Sequence, residues 1–504
     1  MSINLSTLIS QKYRQTAIQL DELPINQGYI IFSNFADHLI IKNDLQSSKH
    51  INFIGCIVLT EDQNYPKPNF PENDYIQPDC IENLINDGAH LVITSDTFLD
   101  LVNLLGTAKI GKLSEKIHIV KMSDWLLDRT GKDIYRRKIS TWAYDQLAEG
   151  NSKEAYEKLK LFLTIYGPRD LNNEDLFTYL ADSDICGLAN GDIASILNAQ
   201  ADLKNAWIFY KDAVGSIIQR ESPPLPHPMW NGQPFRNNRI VFRRELGPAD
   251  EIGYSNIFND LIQDDIEVII ETDTRLVNLF KRSFPKAEVV PRITPAHPRL
   301  LKNDIDYQAN YSDPFLQYRS KLNSFPNHNG YIKPDKKLEL YWHEYLRVNF
   351  SSKLIVGISW GSQSRGKVED KMKTDIKQWS TILQNPDVSF INLQYGDVGE
   401  DLDWVKNKLG VDVNIISELD LFNELDSLAA LISNLDLIIS VNNINSHLAG
   451  AIGTPLWEIV PKFWWLLLGQ NYNPFYPQSQ IFEPDDNGLK AIADLLSSKI
   501  KYQL

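Results

Sequence analysis

Four short stretches of the chain gather residue types that can hold an anion or carry a proton. In RELGPADEIG, Gly247-Pro248 turn the chain out of a strand and Asp250-Glu251 open a helix. The helix dipole favours a carboxylate in the first turn by up to about 1 kcal/mol, so its ordinary role is that of a cap. In GISWGSQSRGKVEDKMKTDIKQW a strand runs into a polar loop with Arg365, Lys367, Lys371 and Lys373. In a chain this acidic, such a loop is an anion clamp or a solvated surface loop. In LQYGD, Gln394, Tyr395, Gly396 and Asp397 leave a third strand.

The fourth stretch is LDLIISVNNINSHLAGAIGTPLW, in which a run of aliphatics breaks into Asn442, Asn443, Ile444, Asn445, Ser446 and His447 and resumes as a small-residue helix. Ala449, Gly450, Ala451 and Gly453 permit close approach of a backbone. Free N–H groups at such a helix start bind phosphate. His447 falls in the first turn, where an imidazolium is disfavoured, so the ring is expected to be neutral and hydrogen-bonded. A pairing with a neighbouring carbonyl would make it structural.

These stretches need strands to deliver them. From Arg239 the pattern alternates: strand RIVFRRE, helix IGYSNIFNDLIQD, strand IEVIIET, helix TRLVNLFKRSF, strand AEVVPR. After a less regular passage rich in Asn, Tyr and Pro, a second alternation begins. Its strands are LIVGISW, VSFINLQYG, VDVNIIS, LDLIISV and PLWEIVP, and its helices are DIKQWSTIL, LDWVKNKLG, NELDSLAALISN and SHLAGAIG. Strand–helix alternation with short loops predicts parallel sheets, and ligands bind outside the carboxyl ends of such strands. All four stretches lie at such ends.

Upstream, ESPPLPHPMWNGQPF has five prolines, which forbid helix and favour an extended linker. Before it, LAEGNSKEAYEKLKLFL and LNAQADLKNAWIFYKDAV share the spacing of a tetratricopeptide hairpin, with Ala155 and Ala206 in equivalent places. They are either a connecting helical layer or a surface that selects partners. The runs GYIIF, INFIGCIVLT, AHLVITS and KIHIVKMS, with DTFLDLVNLLGTA as a crossover helix, predict a small α/β unit to which no chemistry is assigned.

The remaining bounds exclude several classes. A formal charge of -15 argues against general binding to nucleic acid. Cys56, Cys80 and Cys186 form neither a disulfide framework nor a zinc spacing, which fits a reducing cytoplasm. The start MSINLSTLISQKYRQ has no apolar signal segment, and the run FWWLLLGQNY is too short to span a bilayer.

Taken in order, these loops resemble the glycosyltransferases of GT-B fold that follow tetratricopeptide repeats in bacterial proteins, relatives of the heptosyltransferases and more distantly of the O-GlcNAc transferases. The likeness runs from about residue 134 to 490 through HPMWNGQPF, RRELGPADEI, VGISWGS, FINLQYGD, LAALISNLDLIISVNNINSHLAGAIGTPLWEIVP and the FWWLL...NPFYP segment.

Beyond the small α/β domain read from its own strands (1–132), the resemblance implies three parts: a TPR-like helical region (133–220), an acceptor-side Rossmann-like lobe (221–350) and a nucleotide-sugar-side lobe (351–504). It implies that Asp250 is the general base and that Trp360, Lys371, Lys373, Gln394, Tyr395, Gly396, Asn442, Asn443, Asn445, Ser446 and His447 form the donor site, with the diphosphate at the helix that starts near Ser446. The donor is a nucleotide sugar, the acceptor is a protein or glycan that the helical region helps to select, and no metal or cofactor is required. The chain departs from the pattern at Ala249, where Gly is usual, at Asn442, where Asp is usual, and at Asn445, where Ser or Thr is usual. These departures admit a second reading, a non-catalytic scaffold on the same fold. A third, a sugar-nucleotide epimerase, lacks its paired acids in the second lobe.

Overall fold

The computed structural model describes residues 17–18, 28–34, 52–59, 80–94, 101, 105, 116–120, 146–147, 149–156, 187–211, 223–230, 237–350, 354–361 and 374–503. The chain divides into two compact units, Met1–Ala143 with Glu154–Ala189, and Tyr144–Lys153 with Asn190–Leu504.

In the first unit, the four aliphatic runs form β2 (Gly28–Asn34), β3 (Asn52–Leu59), β4 (His90–Thr94) and β5 (Ile117–Val120). With β1 (Ala17–Ile18) they make a parallel sheet in the order β1-β5-β4-β2-β3. Helix α1 (Ile81–Asn86) buries Ile81 and Ile85. Apart from Leu101 and Leu105, the crossover helix expected at DTFLDLVNLLGTA lies outside the described residues. Ala155 and Ala206, the equivalent positions of the two expected hairpins, are both fully buried.

The main run of the second unit begins within α2 (Gly187–Ala199) and continues through a turn at Ala201 with φ of 58° and a helix over 203–211. Its first lobe contains β6 (Arg239–Arg243), α3 (Pro248–Tyr254), α4 (Phe258–Gln263), β7 (Glu267–Thr272), α5 (Val277–Ser283), β8 (Glu288–Pro291) and β9 (Tyr307–Asn310). The sheet is parallel, in the order β8-β7-β6-β9. Strand β9 falls in the passage that looked irregular, because its sequence YQAN has no aliphatic run. The Pro-rich linker is extended as expected and runs beside β9: Trp230 N–H donates to Gln308 O at 2.8 Å, and Gln308 N–H to Pro228 O at 3.0 Å.

The second lobe contains β10 (Leu354–Ser359), β11 (Val388–Asn392), α7 (Gly399–Leu409), α8 (Leu425–Ile432), β12 (Leu437–Val441), α9 (Ile444–Ile452), β13 (Leu456–Ile459), β14 (Gln480–Phe482) and α10 (Asp486–Gln503). Its parallel order is β11-β10-β12-β13-β14. The stretch VDVNIIS, expected as a strand, contributes only an isolated bridge from Asn414 to Ile391. Its exposed Ile415 has no core to enter. Helix α6 (Lys336–Asn349), between the lobes in sequence, packs on α8: Trp342 Nε1 donates to Ser427 Oγ at 3.0 Å and Asn434 Nδ2 to Glu339 O at 3.0 Å.

The lobes meet along a seam between α3 and α9. A side chain at Gly450 would lie 2.3 Å from the Tyr476 ring, so that contact requires glycine, and one at Gly253 would press on His447 Nδ1 at 3.1 Å. Beside them, Tyr331 and Ile332 N–H both donate to Ala451 O, at 2.7 and 2.9 Å, and Tyr331 Oη donates to Ile252 O at 2.8 Å. Because α3 follows β6 and α9 follows β12, the carboxyl edges of the two sheets face each other across this seam. Farther out, Arg275 Nη1 donates to Phe422 O at 3.0 Å and its guanidinium sits 4.7 Å from the Phe422 ring.

Candidate active site

Asp250 sits in the first turn of α3, whose N-cap is Gly247 in extended backbone with Pro248 next. The residue as a whole remains partly exposed. Burial lifts its carboxyl to about 6, against a backbone hydrogen bond at Gly247 that favours the charged form, and Glu251 nearby adds to the rise. A carboxylate poised near neutrality at a strand's carboxyl end suits a general base. Its neighbour Glu251 is committed to the fold: its carboxylate accepts from Thr272 Oγ1 at 2.7 Å and Asp273 N–H at 2.9 Å, and pairs with Arg292. The two acids thus divide, one into the structure and one toward the seam three residues from Gly253, about 4.5 Å along the helix.

In the second lobe the Asn-rich turn ties three neighbouring strands together, β12, β10 and the edge strand β11. Asn443 caps α9, accepting from Asn445 N–H at 2.9 Å within a capping box with Ser446. Its Nδ2 donates to Ser359 Oγ at 2.8 Å and Gly361 O at 3.0 Å. Gln394 Oε1 accepts from the same Ser359 hydroxyl at 3.0 Å and from Gly361 N–H at 2.8 Å. Asn445 Nδ2 reaches Leu393 O at 3.0 Å, while its Oδ1 is buried without a partner among the described residues. The capping side chain of Asn443 therefore takes N–H groups that would otherwise be free for phosphate.

His447 is buried, and burial pushes its imidazole down to about 4, so it is neutral at pH 7. Its partners are side chains, not a carbonyl: Nδ1 lies 2.7 Å from Tyr476 Oη and Nε2 lies 3.4 Å from Asn442 Nδ2. It forms part of the seam wall. Asn442 Nδ2 donates to Glu458 Oε1 at 2.8 Å, and Asn473 Nδ2 donates to Glu458 Oε2 at 3.0 Å. Glu458 lies within buried β13, and burial raises it above the usual carboxylate range.

This explains the amide at 442. An aspartate there would face a buried carboxyl that has amide donors around it. Asn442→Asp is expected to lower stability at pH 8 by about 1–3 kcal/mol, because an amide donor is lost and a like charge gained. The loss should shrink toward pH 5 as the pair takes up a proton. Thermal melts of both proteins at the two pH values check it, and an equal loss at both would refute the account.

Of the other residues expected on the donor side, Trp360 is buried, with Nε1 donating to Asp401 Oδ2 at 2.8 Å. Tyr395 is partly exposed, 6.1 Å from the Phe422 ring, and Gly396 is exposed with φ of 94°. Lys371 and Lys373 lie outside the described residues, as do Arg365 and Lys367. The structure therefore brings Gln394, Asn442, Asn443, Asn445, Ser446 and His447 to one edge, with Asp250 across the seam. Sequence reasoning missed Glu458 and Tyr476. A lone acid inside the aliphatic strand LWEI was the available signal for the first; the tyrosine in NPFYP carried none.

No family model matches the chain. It is 30% identical over 310 residues to Protein FlbA of Caulobacter vibrioides, covering 59% of this chain and 52% of that protein. The chain thus spans about half the length of the curated relative it matches. Among solved structures, it superimposes on a glycosyl transferase family 9 protein from Veillonella parvula with a TM-score of 0.38 and 10% identity, covering 50% of this chain and 89% of that one. Against the E. coli ADP-heptose LPS heptosyltransferase II the TM-score is 0.39 at 10% identity, covering 53% and 99%. Among the described residues, no helix is long and apolar enough to cross a membrane.

Proposed function

We propose that the chain is a glycosyltransferase of GT-B type that moves a sugar from a nucleotide-sugar donor to a hydroxyl of a protein or glycan acceptor, with inversion and without a metal. The observation that carries this reading is the place of Asp250: a partly exposed residue, its carboxyl lifted by burial to about 6, beside the seam where the carboxyl edges of two parallel sheets face each other. Asp250 takes the proton of the acceptor hydroxyl as that oxygen attacks the anomeric carbon. The bond from that carbon to the nucleoside diphosphate breaks on the opposite side, and the diphosphate leaves with the negative charge. Tyr395, Gly396 and Asn442 keep exposed surface on the donor side. Lys371 and Lys373 offset the charge of the leaving group. The TPR-like helical region selects the acceptor.

A nucleotide sugar or its nucleoside diphosphate should raise the thermal midpoint of the full chain, by about 2.7 kcal/mol of added stability at a hundredfold excess over Kd. A broad panel of donors and diphosphates that shifts nothing would overturn the reading.

One observation favours the scaffold reading: Asn443 already caps the helix expected to hold the diphosphate. Donor turnover in the wild type that disappears in Asp250→Ala, with folding and donor binding intact, would eliminate it.

A further inference from the structure

The helix over 203–211 does more than precede the linker. Trp207 Nε1 donates to Arg319 O at 2.9 Å, and its ring meets Phe315 edge-on at 5.1 Å. One turn later, Tyr210 stacks on Trp465 at 5.6 Å and lies 5.7 Å from the Tyr254 ring. These contacts set the Tyr210 hydroxyl above the ends of β6 and β9, where Glu245 and Asp313 are both buried.

The polar groups gathered here are poorly satisfied. Glu245 Oε1 accepts from Ser312 N–H at 2.7 Å, and Asp313 Oδ2 receives Asn310 N–H at 2.8 Å. Among the described residues, Glu245 Oε2, Asp313 Oδ1, Ser312 Oγ, Tyr210 Oη and Tyr254 Oη are buried without a well-formed hydrogen bond, although Tyr210 lies within weak reach of Tyr254 and Glu245, and Glu245 within weak reach of Ser312. Each such group costs roughly 1–3 kcal/mol. Clusters of such groups concentrate at functional sites. Tyr210, Tyr254 and Glu245 lie close enough to act on one another, and the charge of Asp250 reaches both phenols.

We propose that Tyr210 and Glu245 are positioning residues for Asp250, so that residues 203–211 complete the reaction centre and are not solely a surface for partners. This rests on the reading of Asp250 as the base. The groups that bear most on Glu245 are Ser312, Asp313 and Asp250, none of them a cation. A fully buried carboxyl so placed is held neutral, because an unpaired buried charge is far costlier. A neutral carboxyl and two phenols are rotatable donors, and Tyr254 stands one turn after Asp250 on α3, which sets the cluster beside that carboxylate. The other titratable groups packed around it are accounted for. Glu251 is held by Arg292, Lys211 acts on Asp313, His447 is neutral, and Tyr476 feels the Asp250 charge from the second lobe.

The test is a titration of the full chain carrying ¹³C-carboxyl aspartate, with the Asp250 resonance assigned by its loss in Asp250→Asn. Tyr210→Phe removes a donor and should move the Asp250 midpoint up by about half a pH unit or more. Glu245→Leu should move it likewise, and Glu245→Gln, which keeps a neutral polar group of the same shape, should restore most of the wild-type value. Where transfer is measured, the acid limb of the rate profile should move with the resonance, with kcat falling about tenfold and the donor KM unchanged. Midpoints that coincide in wild type, Tyr210→Phe and Glu245→Leu would overturn the proposal. If Tyr210→Phe fails to fold, the Glu245 pair decides it. The titration needs no turnover, so a failure of the transferase reading would show separately, as an absence of donor binding.

Discussion

Asp250→Asn should abolish transfer while leaving the protein more stable than the wild type at neutral pH. Loss of a general base costs roughly 10²–10⁴ in rate. Donor binding should survive, since Asp250 stands on the first lobe, across the seam from the proposed donor site. The stability gain follows from the carboxyl itself, which burial raises from 3.8 to about 6 in the folded protein. A raised acid is penalised when charged: the penalty is absent below the unfolded value, grows as pH climbs through the folded one, and is complete above it. A shift of about two units would be worth up to roughly 3 kcal/mol. Because Asp250 keeps some exposure, screening reduces this to about 1–2 kcal/mol. Melting curves should therefore show the Asn variant ahead by a few degrees at pH 7.5 and level with wild type near pH 4. A variant that is no more stable at pH 7.5 would mean that the carboxyl is better solvated than its setting implies.

The second large effect is purely structural. At the seam, Gly330 and Gly453 cross back to back, with φ of 105° and 95°. A side chain at Gly330 would lie 2.1 Å from Ile452 O, and one at Gly453 would lie 2.1 Å from Asn329 O. Backbone cannot rotate aside as a side chain would, so the clash adds to the cost of a left-handed conformation. Gly453→Ala is expected to lose about 3 kcal/mol or more, at the severe end for a single methyl group. Gly410 supplies the control: its φ is 68° and nothing lies within 4 Å of an added carbon, so Gly410→Ala should lose only about 1–2 kcal/mol. Urea unfolding of the two variants separates the terms. Equal losses would mean that the lobes are not locked at this crossing.

Much of the framework could be read from the chain because buried parallel strands advertise themselves. β10, β12 and β13 are aliphatic runs, and each lies where it was expected. Strands β9 and β14 were missed because their sequences, YQAN and QIF, are short and mixed; neighbouring strands define them, not their own composition. Helix α6 was hidden among charges and aromatics, although Asp335 before it is a good cap that accepts from Lys337 and Leu338 N–H. The site follows the same division. Asp250 and the Asn-rich turn were visible because each is a local motif at a strand end. Glu458, Tyr476, Glu245 and Tyr210 were not, because each acquires its role from partners distant in sequence. Asn442 lies between these cases: its departure from Asp was legible, but the reason for it, a carboxyl sixteen residues on, was not.

The glycine crossing also fixes the mechanics of the cleft. A rotation that leaves it intact must turn about it as a door turns on its pin, so displacement grows with distance from Gly330 and Gly453. The Arg275–Phe422 contact and the Arg282–Asp426 ion pair also join the lobes, so such a turn would have to break them or carry them with it.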